Sequence, residues 1–364
     1  MDTIHSQNDS EHKQYSVIGV MSGTSLDGID VTYTTFKKEA HWFFEIHNAE
    51  TISYSTDWKD RLGSLTQFDS STLSEVDVAY TQLLAEVVLD FIEKNNLPHI
   101  DAVCSHGHTA LHQPEKGITY QIGNRPELAS IVGLPLVCDF RKQDVGLGGQ
   151  GAPLVPAGDQ WLFPQYDVCL NLGGFANLTL NDNHQFIAYD VGGFNLVFNR
   201  LAHYFGKDYD DKGAIARSGK MLPDLFAGLQ QLPFYSQTGP KSLGLEWLEV
   251  EVYPLLNNAI DKNDAIEDIM YTYCEHLTDQ LARALTNRKN VLCTGGGAYN
   301  QYALDRLQKK TTAQLHIPSK EIIEFKESLV FGFLGVLKLL DQPNCFSSIT
   351  GAERDHSSGM VYFP

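Results

Sequence analysis

The sequence predicts an α/β protein made of a duplicated unit, with two domains around a deep cleft. Both halves begin with a strand, a glycine-containing turn and a second strand, in VIGVMSGTSLDGIDVTY and in VCLNLGGFANLTL. Both halves later have a long amphipathic helix followed by a buried strand that ends in small residues, AVCSHGHT and VLCTGGGAYN. With 364 residues the chain is long enough for two domains, and a cleft between them is a usual place for a ligand.

The first half is predicted to start with a polar, frayed tail over residues 1–15. The β-branched residues on both sides of the first turn predict two strands, and HWFFEIHNAETISY predicts a third. Apolar residues repeat with a 3.6-residue period in STLSEVDVAYTQLLAEVVLDFIEKNN, which predicts a helix capped by Ser71 or Ser74. Buried strands are predicted in HIDAVCSHG and LPLVCDF, with the short helix ELASIVG between them.

The segment RKQDVGLGGQGAPLVPAGD is rich in glycine and proline, so it is predicted to be a linker or a functional loop. We place the domain boundary at its start, with domain I formed by residues 16–140 and 345–364 and domain II by residues 141–344. Domain II is predicted to have strands in YDVCLNLGGFANLTL, QFIAYDVGG, NVLCTGGG and AQLHIPS, and helices in NLVFNRLAHYF, AIEDIMYTYCEHLTDQLARAL, AYNQYALDRLQKK and SLVFGFLGVLKLL. Residues 206–244 are predicted to be irregular.

The composition excludes several classes of partner. The chain has 45 Asp and Glu against 27 Lys and Arg, a net charge of −18, which repels nucleic acids and anionic membranes. The six cysteines have no CxxC spacing, and most lie in apolar segments typical of buried free thiols in a reducing compartment. The polar N-terminal segment does not have the pattern of a signal peptide, and the apolar run near the end is too short to span a bilayer. We therefore expect a cytoplasmic protein.

Three glycine-containing turns could bind phosphate or a nucleoside. Consecutive backbone N–H groups in the turns MSGTSLDGID and NLGGFAN could surround phosphate oxygens, and Asp27 and Asp30 could hold Mg²⁺ through water. The third turn, TGGGAYN, leads from a strand into a helix and would let a ring or a phosphate approach the backbone. The alternative is that all three are ordinary turns.

Other polar residues are candidates for catalysis or substrate binding. Asp190 ends a strand, where it could be a general base or simply a turn residue before the next helix. His106, His108 and His112 could bind a metal, but no matching carboxylate or cysteine pattern accompanies them, so hydrogen bonding to a substrate or within the core is the preferred interpretation. In the glycine-rich loop, Arg141, Asp144 and Gln150 could contact a substrate, or the loop could be a plain hinge.

Taken in order along the chain, a set of strings resembles the anhydro-N-acetylmuramic acid kinase family. The strings are VIGVMSGTSLDGIDV, SHGHTALHQP, QIGN, CDFRKQDVGLGGQGAPLVP, LNLGGFANLT, SGK, PKSLGLEW and TGGGAYN. The resemblance spans about residues 16–361, and MSGTSLDGID and GGQGAPLVP are its most specific parts. It implies the ribonuclease H-like fold of actin-like ATPases and sugar kinases, with two domains flanking a cleft.

The resemblance also implies where a nucleotide binds. It assigns the nucleoside to the third turn and the phosphates to the first two. The residues assigned to ATP are Gly23, Thr24, Ser25, Leu26, Asp27, Gly28, Ile29, Asp30, Gly173, Gly174, Gly295, Gly296 and Gly297. Asp27 is also the candidate for Mg²⁺, held through water. A homodimer is implied by the resemblance alone.

The family reaction uses ATP and water to open the 1,6-anhydro ring of the sugar and to phosphorylate its 6-oxygen, in the recycling of cell-wall peptidoglycan. The family's general base matches Asp190, and a family glutamate near the start of the last core helix matches Glu327. Since the substrate has a lactyl carboxylate, Arg141 is the candidate for binding it and Arg125 the second choice. His106, Asp144, Gln150 and Asn195 complete the predicted substrate contacts.

This sequence departs from the family pattern next to the predicted base. Where the family usually has DTGPGN, residues 190–195 read DVGGFN, so Asp190 and Asn195 fit but Val191, Gly193 and Phe194 do not. Asn199 stands where Asp is common, and His108 stands where Gln is usual. Two alternatives therefore stay open: a kinase for a related anhydro or amino sugar, and an actin-like ATP-binding protein with low turnover.

Overall fold

Two mixed β-sheets, each covered by helices, organise the chain in the computed structural model, which describes residues 14–23, 26–182, 185–237 and 241–364. The strands are β1 (Gln14–Ser22), β2 (Gly28–Lys38), β3 (Trp42–Ser53), β4 (Ala102–Ser105), β5 (His108–Gln113), β6 (Ile118–Ile122), β7 (Leu136–Cys138), β8 (Val168–Leu172), β9 (Phe175–Asp182), β10 (Gln185–Gly193), β11 (Asn290–Thr294), β12 (Gln314–His316) and β13 (Met360–Tyr362).

The helices are α1 (Thr56–Gly63), α2 (Ser70–Asn95), α3 (Glu127–Val132), α4 (Lys142–Gly146), α5 (Val155–Leu162), α6 (Asn195–Ala202), α7 (Ala214–Ser218), α8 (Pro223–Gln230), α9 (Leu245–Trp247), α10 (Tyr253–Asp261), α11 (Ile266–Ala284), α12 (Gln301–Gln308), α13 (Lys320–Leu339) and α14 (Ser347–Thr350). A π-helical turn, Leu248–Val252, joins α9 to α10. No helix in the described part of the chain has the length and apolar character that a membrane crossing requires.

The first sheet has the strand order β13-β7-β4-β1-β2-β3. Strands β1, β2 and β3 form an antiparallel meander, β4 and β7 run parallel to β1, and β13 pairs antiparallel with β7. Apolar side chains from the sheet pack against one face of α2, and Ile18, Val31, Tyr80, Leu84 and Ile122 are buried in this core. Helix α2 begins where the Asp69 carboxylate accepts a hydrogen bond from the Thr72 amide, so the predicted caps Ser71 and Ser74 are wrong.

The second sheet has the strand order β10-β9-β8-β11-β12. It repeats the first: β8, β9 and β10 form an antiparallel meander, and β11 and β12 run parallel to β8. Its core includes Leu170, Phe194, Tyr273, Leu277 and Val291. The predicted duplicated, ribonuclease H-like α/β fold is confirmed, because the corresponding strands have the same order and direction in both sheets.

The boundaries between the two structural units differ from the predicted ones. One unit comprises the described residues up to Leu162 together with Glu327–Pro364, and the other comprises Phe163–Lys326. The glycine-rich loop after Phe140 stays with the first unit because the Asp144 side chain bonds to residues 345–350. The region 206–244, predicted to be irregular, contains α7 and α8. The β5–β6 hairpin was not predicted.

Helix α13 packs directly on strand β1 at Gly19. A Cβ atom at Gly19 would lie well inside contact distance of the Ser328 carbonyl oxygen, and one at Gly335 would overlap the Cys104 side chain. Contacts this close require glycine, since a Cβ at either position would push the helix away from the strand beside it. Glu327, the residue before Ser328, therefore lies at one end of this close contact between α13 and β1.

Candidate active site

Asp190 lies on β10 at a β-bulge, where the pairing with β9 shifts between Asp190 and Gly192. The Asp190 carboxylate is half-buried, and its Oδ2 atom accepts a 2.7 Å hydrogen bond from the Leu243 amide. The Asp190 amide donates to the Lys241 carbonyl oxygen at 2.9 Å. Burial raises the pKa of the Asp190 carboxyl above its usual value, and the Leu243 amide opposes this shift. The carboxylate is therefore held in place and is a stronger base than an exposed one.

The residues that depart from the family pattern after Asp190 turn into the core. Phe194 and Val191 are almost fully buried, and the Phe194 ring packs edge-on against Phe198. The Gly193 carbonyl oxygen accepts a 2.7 Å hydrogen bond from the buried Tyr273 hydroxyl. The bulky Phe194 side chain thus fills the core of the second unit and does not face solvent.

The turn at Gly173–Gly174 is bonded to the first residues of α6. The carbonyl oxygen of Gly174 accepts hydrogen bonds from the Phe194 and Leu196 amides, and that of Gly173 accepts from the Asn195 amide. The Asn195 side chain donates to the Leu172 carbonyl oxygen at 3.2 Å. This arrangement gives Asn195 a structural contact inside the second unit, and the residue stays partly accessible.

The three glycines between β11 and α12 differ in how closely neighbouring atoms surround them. A Cβ at Gly295 would lie 2.6 Å from the Asn171 amide oxygen, and one at Gly297 would lie 2.5 Å from the Phe194 ring. Gly295 also has a positive φ of 78°. A Cβ at Gly296 would meet only the Asn195 amide nitrogen, at 3.6 Å, and this residue is exposed. Packing explains glycine at positions 295 and 297 but not at position 296.

The first turn joins β1 to β2, and its residues Thr24 and Ser25 lie outside the described residues. The Leu26 amide donates to the Gly23 carbonyl oxygen at 3.4 Å, and Ile29 is buried in the sheet. A Cβ at Gly28 would lie 2.5 Å from the Ile52 carbonyl oxygen on β3. The packing of β2 on β3 therefore explains this glycine without a ligand.

The two acidic residues of this turn differ in their surroundings. The Asp27 side chain is exposed, whereas Asp30 accepts a 2.6 Å hydrogen bond from the Thr51 hydroxyl. An exposed carboxylate beside a glycine turn has the oxygen donor that Mg²⁺ prefers, directly or through water. Asp27 fits that requirement better than Asp30 does.

His106 and Arg141 are in direct contact. The Arg141 Nε atom donates to His106 Nε2 at 2.9 Å, and Arg141 Nη1 donates to the Gly151 carbonyl oxygen at 2.6 Å. Burial lowers the pKa of Arg141 to about 10, and burial together with the Arg141 charge holds the pKa of His106 well below its usual value. His106 is thus a neutral hydrogen-bond acceptor for the cationic Arg141 guanidinium, which has further N–H groups besides the two in these bonds.

His108 belongs to a different, buried network. Its Nδ1 atom lies 2.8 Å from the Ser22 hydroxyl, which lies 2.5 Å from the Tyr54 hydroxyl, and Tyr54 in turn contacts the Tyr80 hydroxyl. Burial lowers the pKa of His108 to about 4. The network supports the end of β1 just before the first turn. His112, in contrast, is exposed and pairs with the Thr119 hydroxyl.

Asp144 and Gln150, both predicted to contact the substrate, have very different positions. Asp144 is fully buried, and its Oδ2 atom accepts a 2.6 Å hydrogen bond from the Gly151 amide. Its Oδ1 atom accepts from the Thr350 hydroxyl at 2.7 Å. Asp144 therefore organises the glycine-rich loop from inside rather than facing solvent. Gln150 is exposed on the same loop.

Arg125 has carboxylate partners within its own unit. Its Nη2 atom lies 3.0 Å from Glu127, and its Nη1 atom lies 3.6 Å from the buried Asp77. These carboxylates contribute to raising the pKa of the Arg125 guanidinium. Its charge is therefore already compensated, whereas the two acceptors bonded to Arg141 are neutral.

Glu327 lies on α13 with an exposed side chain. Its charge raises the pKa of Arg141, against the larger effect of burial. Glu327 and Arg141 are thus electrostatically coupled within the first unit, and Glu327 stands at the close contact between α13 and Gly19.

The sequence did not single out several residues that support these groups. The Leu243 amide holds Asp190 from 53 positions away, and the Tyr273 hydroxyl holds the bulge. Ser22, Tyr54 and Tyr80 carry the network behind the first turn. The string PKSLGLEW, which contains Leu243, was the one available signal, since it contributed to the family resemblance.

Comparison with known proteins gives consistent results over the whole chain. The sequence pattern of the family described as anhydro-N-acetylmuramic acid kinase matches residues 15–364. A protein of that name from Shewanella putrefaciens (strain CN-32) is 32% identical over 360 residues, covering 93% of this chain and 96% of the relative. Another from Saccharophagus degradans is 32% identical over 369 residues, covering 95% and 98%.

Among solved structures, this chain is similar to the activator of 2-hydroxyisocaproyl-CoA dehydratase from Clostridium difficile with bound ADPNP. The identity is 15%, the coverage is 88% of this chain and 94% of that chain, and the TM-score is 0.46. A glucokinase from Leishmania braziliensis gives 13% identity, coverage of 89% and 94%, and a TM-score of 0.32. We draw no conclusion from likenesses this low.

Proposed function

The chain belongs to the anhydro-N-acetylmuramic acid kinase family, and from this premise we propose the residues by which it acts. Its function is that of an ATP-dependent kinase for 1,6-anhydro-N-acetylmuramic acid in peptidoglycan recycling. In the proposed mechanism Asp190 accepts a proton from water as the water oxygen bonds to the anomeric carbon. The bond between that carbon and O6 breaks, O6 bonds to the γ-phosphorus of ATP, and ADP leaves.

The position of Asp190 is the observation that carries this mechanism. In the described part of the chain, the Leu243 amide is bonded to Oδ2, and no donor is bonded to Oδ1. One oxygen is thus oriented and the other is available for a proton. A carboxylate whose pKa burial raises is a stronger base and is suited to this step. We assign Glu327 a supporting catalytic role, since its charge acts on Arg141.

We propose that the three glycine turns bind ATP. The first turn belongs to the first unit, and the other two turns belong to the second unit. Residues 23–30 and Gly173–Gly174 would contact phosphates through backbone N–H groups, and Gly295–Gly297 would contact the nucleoside. Asp27 would hold Mg²⁺ through water, and the ion would neutralise phosphate charge. His106 supports Arg141, while Gln150 and Asn195 are proposed as further contacts to the sugar. A homodimer and a cytoplasmic location also belong to this proposal.

The overall function is tested by incubating the purified protein with Mg²⁺, ATP and the anhydro sugar. We expect one ADP and one sugar phosphate per sugar consumed, measured by coupled ADP assay and mass spectrometry. Turnover with a related anhydro or amino sugar but not with this one would favour a changed substrate. ATP binding without phosphorylation of any sugar in such a panel would favour a nucleotide-dependent binding protein.

Replacing Arg141 with glutamine is expected to remove the preference for the lactyl carboxylate. We expect KM for 1,6-anhydro-N-acetylmuramic acid to rise at least tenfold, because hydrogen bonds to charged groups contribute about 1.5–3 kcal/mol. The KM for 1,6-anhydro-N-acetylglucosamine, which lacks the lactyl group, should change much less. The measurement is steady-state kinetics of both proteins with both sugars.

The matched control is Arg125→Gln. Because Arg125 is already paired with Glu127 and Asp77, this variant should keep the discrimination between the two sugars. If Arg125→Gln abolishes the discrimination and Arg141→Gln does not, the carboxylate contact belongs to Arg125. Equal losses on both sugars in Arg141→Gln would assign that residue to holding the loop at Gly151.

Replacing Gly296 with valine is expected to block the nucleoside without unfolding the protein. A Cβ here would meet the Asn195 side chain at an ordinary 3.6 Å and the residue is exposed, so the melting temperature should hardly change. If the nucleoside approaches this backbone, KM for ATP should rise by about tenfold or more, with little effect on KM for the sugar. Steady-state kinetics with ATP varied would measure it.

Gly297→Ala is the comparison variant for the same turn. Its Cβ would press on the buried Phe194 ring, so we expect a loss of about 1–3 kcal/mol in the free energy of unfolding. An unchanged KM for ATP in Gly296→Val, with normal activity, would show that the nucleoside does not approach Gly296.

A further inference from the structure

A second cluster of reactive side chains lies inside the first unit, away from the exposed surface. Asp144 on α4, Cys345 before α14 and His356 after α14 are all buried. Their side-chain donor atoms, Asp144 Oδ, Cys345 Sγ and a His356 ring nitrogen, all lie within 4.8 Å of one another. The proposed reaction uses none of the three as a reacting group.

The His356 ring is oriented for a ligand at Nε2. Its Nδ1 atom lies 3.0 Å from the Arg354 carbonyl oxygen, which can only accept, so Nδ1 carries the hydrogen. Its Nε2 atom is buried and has no hydrogen-bond partner among the described residues. Nε2 faces Asp144 Oδ1 at 3.6 Å, beyond hydrogen-bond distance. A backbone carbonyl bonded to the other ring nitrogen is how metal-binding histidines are commonly fixed.

Asp144 Oδ1 is the point on which the other groups converge. It accepts from the Cys345 thiol at 3.0 Å and from the Thr350 hydroxyl at 2.7 Å. A cation bound at this point would take the place of the thiol proton, since a cysteine that binds a metal is deprotonated.

We propose that Asp144 Oδ1, Cys345 Sγ and His356 Nε2 bind one zinc ion. Mixed sulfur, nitrogen and oxygen donors with few ligands are typical of zinc. In a tetrahedral site with bonds of about 2.0–2.3 Å, ligand atoms lie about 3.3–3.8 Å apart. The oxygen–nitrogen distance of 3.6 Å lies in that range, the oxygen–sulfur distance of 3.0 Å is shorter, and all three donor atoms lie within 4.8 Å of one another, so side-chain shifts would complete the geometry. Binding releases the thiol proton to solvent, and the Thr350 hydroxyl or a water fills the fourth position.

The site would be structural, because it is closed and joins segments far apart in the sequence. Asp144 also holds the Gly151 amide through Oδ2, and the Gly151 carbonyl oxygen accepts from Arg141. A metal at Asp144 would therefore fix the glycine-rich loop to residues 345–356. This inference does not depend on the identity of the sugar.

The test begins with metal analysis of the full chain purified without a metal-affinity tag or chelator. We expect close to one zinc per chain after dialysis in the wild-type protein and in the control Cys293→Ser, which changes a buried thiol elsewhere. We expect loss of the zinc in Cys345→Ser and in His356→Ala. Cobalt added to the metal-free protein should give a thiolate-to-cobalt absorption band that is absent in Cys345→Ser.

A second measurement keeps the test valid if a variant fails to fold. Wild-type protein is stripped with a chelator and its melting temperature is measured with zinc or with magnesium added. Zinc should raise the melting temperature and magnesium should not, since a ligand that binds the folded state stabilises that state. Three results together would overturn the proposal: a zinc content no higher in wild type than in the variants, no cobalt band, and no rise in melting temperature with zinc. They would leave a metal-free hydrogen-bonded cluster.

Discussion

Replacing Asp190 with asparagine is expected to reduce sugar-dependent ADP release by about 10²–10⁴-fold, the usual contribution of a general base. Asparagine can still accept the hydrogen bond from the Leu243 amide, so the bulge should keep its shape. The melting temperature should not fall, because burial disfavours the charged carboxylate and the neutral amide avoids that cost. Coupled ADP release and thermal melting measure the two effects.

The pH profile adds a second check on Asp190. Water activation needs the ionised carboxylate, and burial raises its pKa, so kcat/KM should decline on acidification at a higher pH than an unperturbed aspartate would give. Asp208→Asn, which changes an exposed carboxylate of the same unit, should retain the wild-type rate and profile. Full activity in Asp190→Asn would move the general base to another residue.

Replacing Gly19 with alanine is expected to lower the free energy of unfolding by on the order of 3 kcal/mol. The added methyl group would collide with the backbone carbonyl of Ser328, so either β1 or α13 must move as a whole. Neither element can yield by a change of rotamer. Urea denaturation followed by circular dichroism, with hydrogen exchange to locate the loss, would measure the effect on the first unit.

Gly332→Ala is the matched control for this contact. Gly332 lies on α13, the helix that contacts Gly19, and a Cβ at Gly332 would meet Val17 at an ordinary 3.4 Å. Alanine is also the better helix former by about 1 kcal/mol, so stability should be unchanged or higher. Equal losses in Gly19→Ala and Gly332→Ala would show that the contact at Gly19 is not special.

The periodicity of the sequence predicted most strands and the long helices because apolar patterns are local. The partner of a residue is not local, and this is where prediction failed. Gly19 could be assigned to a strand, but Ser328, which requires it to be glycine, lies 309 positions away. The boundary after Leu162 was missed for the same reason, because the contacts of Asp144 with residues 345–350 hold the loop to the first unit.

The candidate site shows the same division between local and distant information. Asp190 was recognised at the end of a strand, but the bulge and the Leu243 amide that position it carry no local signal. Asp144 was predicted to contact the substrate because it is a charged residue in a glycine-rich loop. Its complete burial depends on Thr350 and Cys345, which no pattern in the loop reveals.

The division of the chain after Leu162 and before Glu327 affects the order in which the two units fold during synthesis. The second unit is continuous, from Phe163 to Lys326, whereas the first sheet is finished only when β13 pairs with β7. On the ribosome, all strands of the second sheet emerge before residues 360–362 are synthesised. We therefore expect the unit encoded in the middle of the gene to fold first, while the N-terminal strands wait for α13 and β13. A nascent chain whose second unit has left the ribosome, but whose β13 has not yet emerged, would carry one finished unit and one open sheet, which is the state that chaperones would meet.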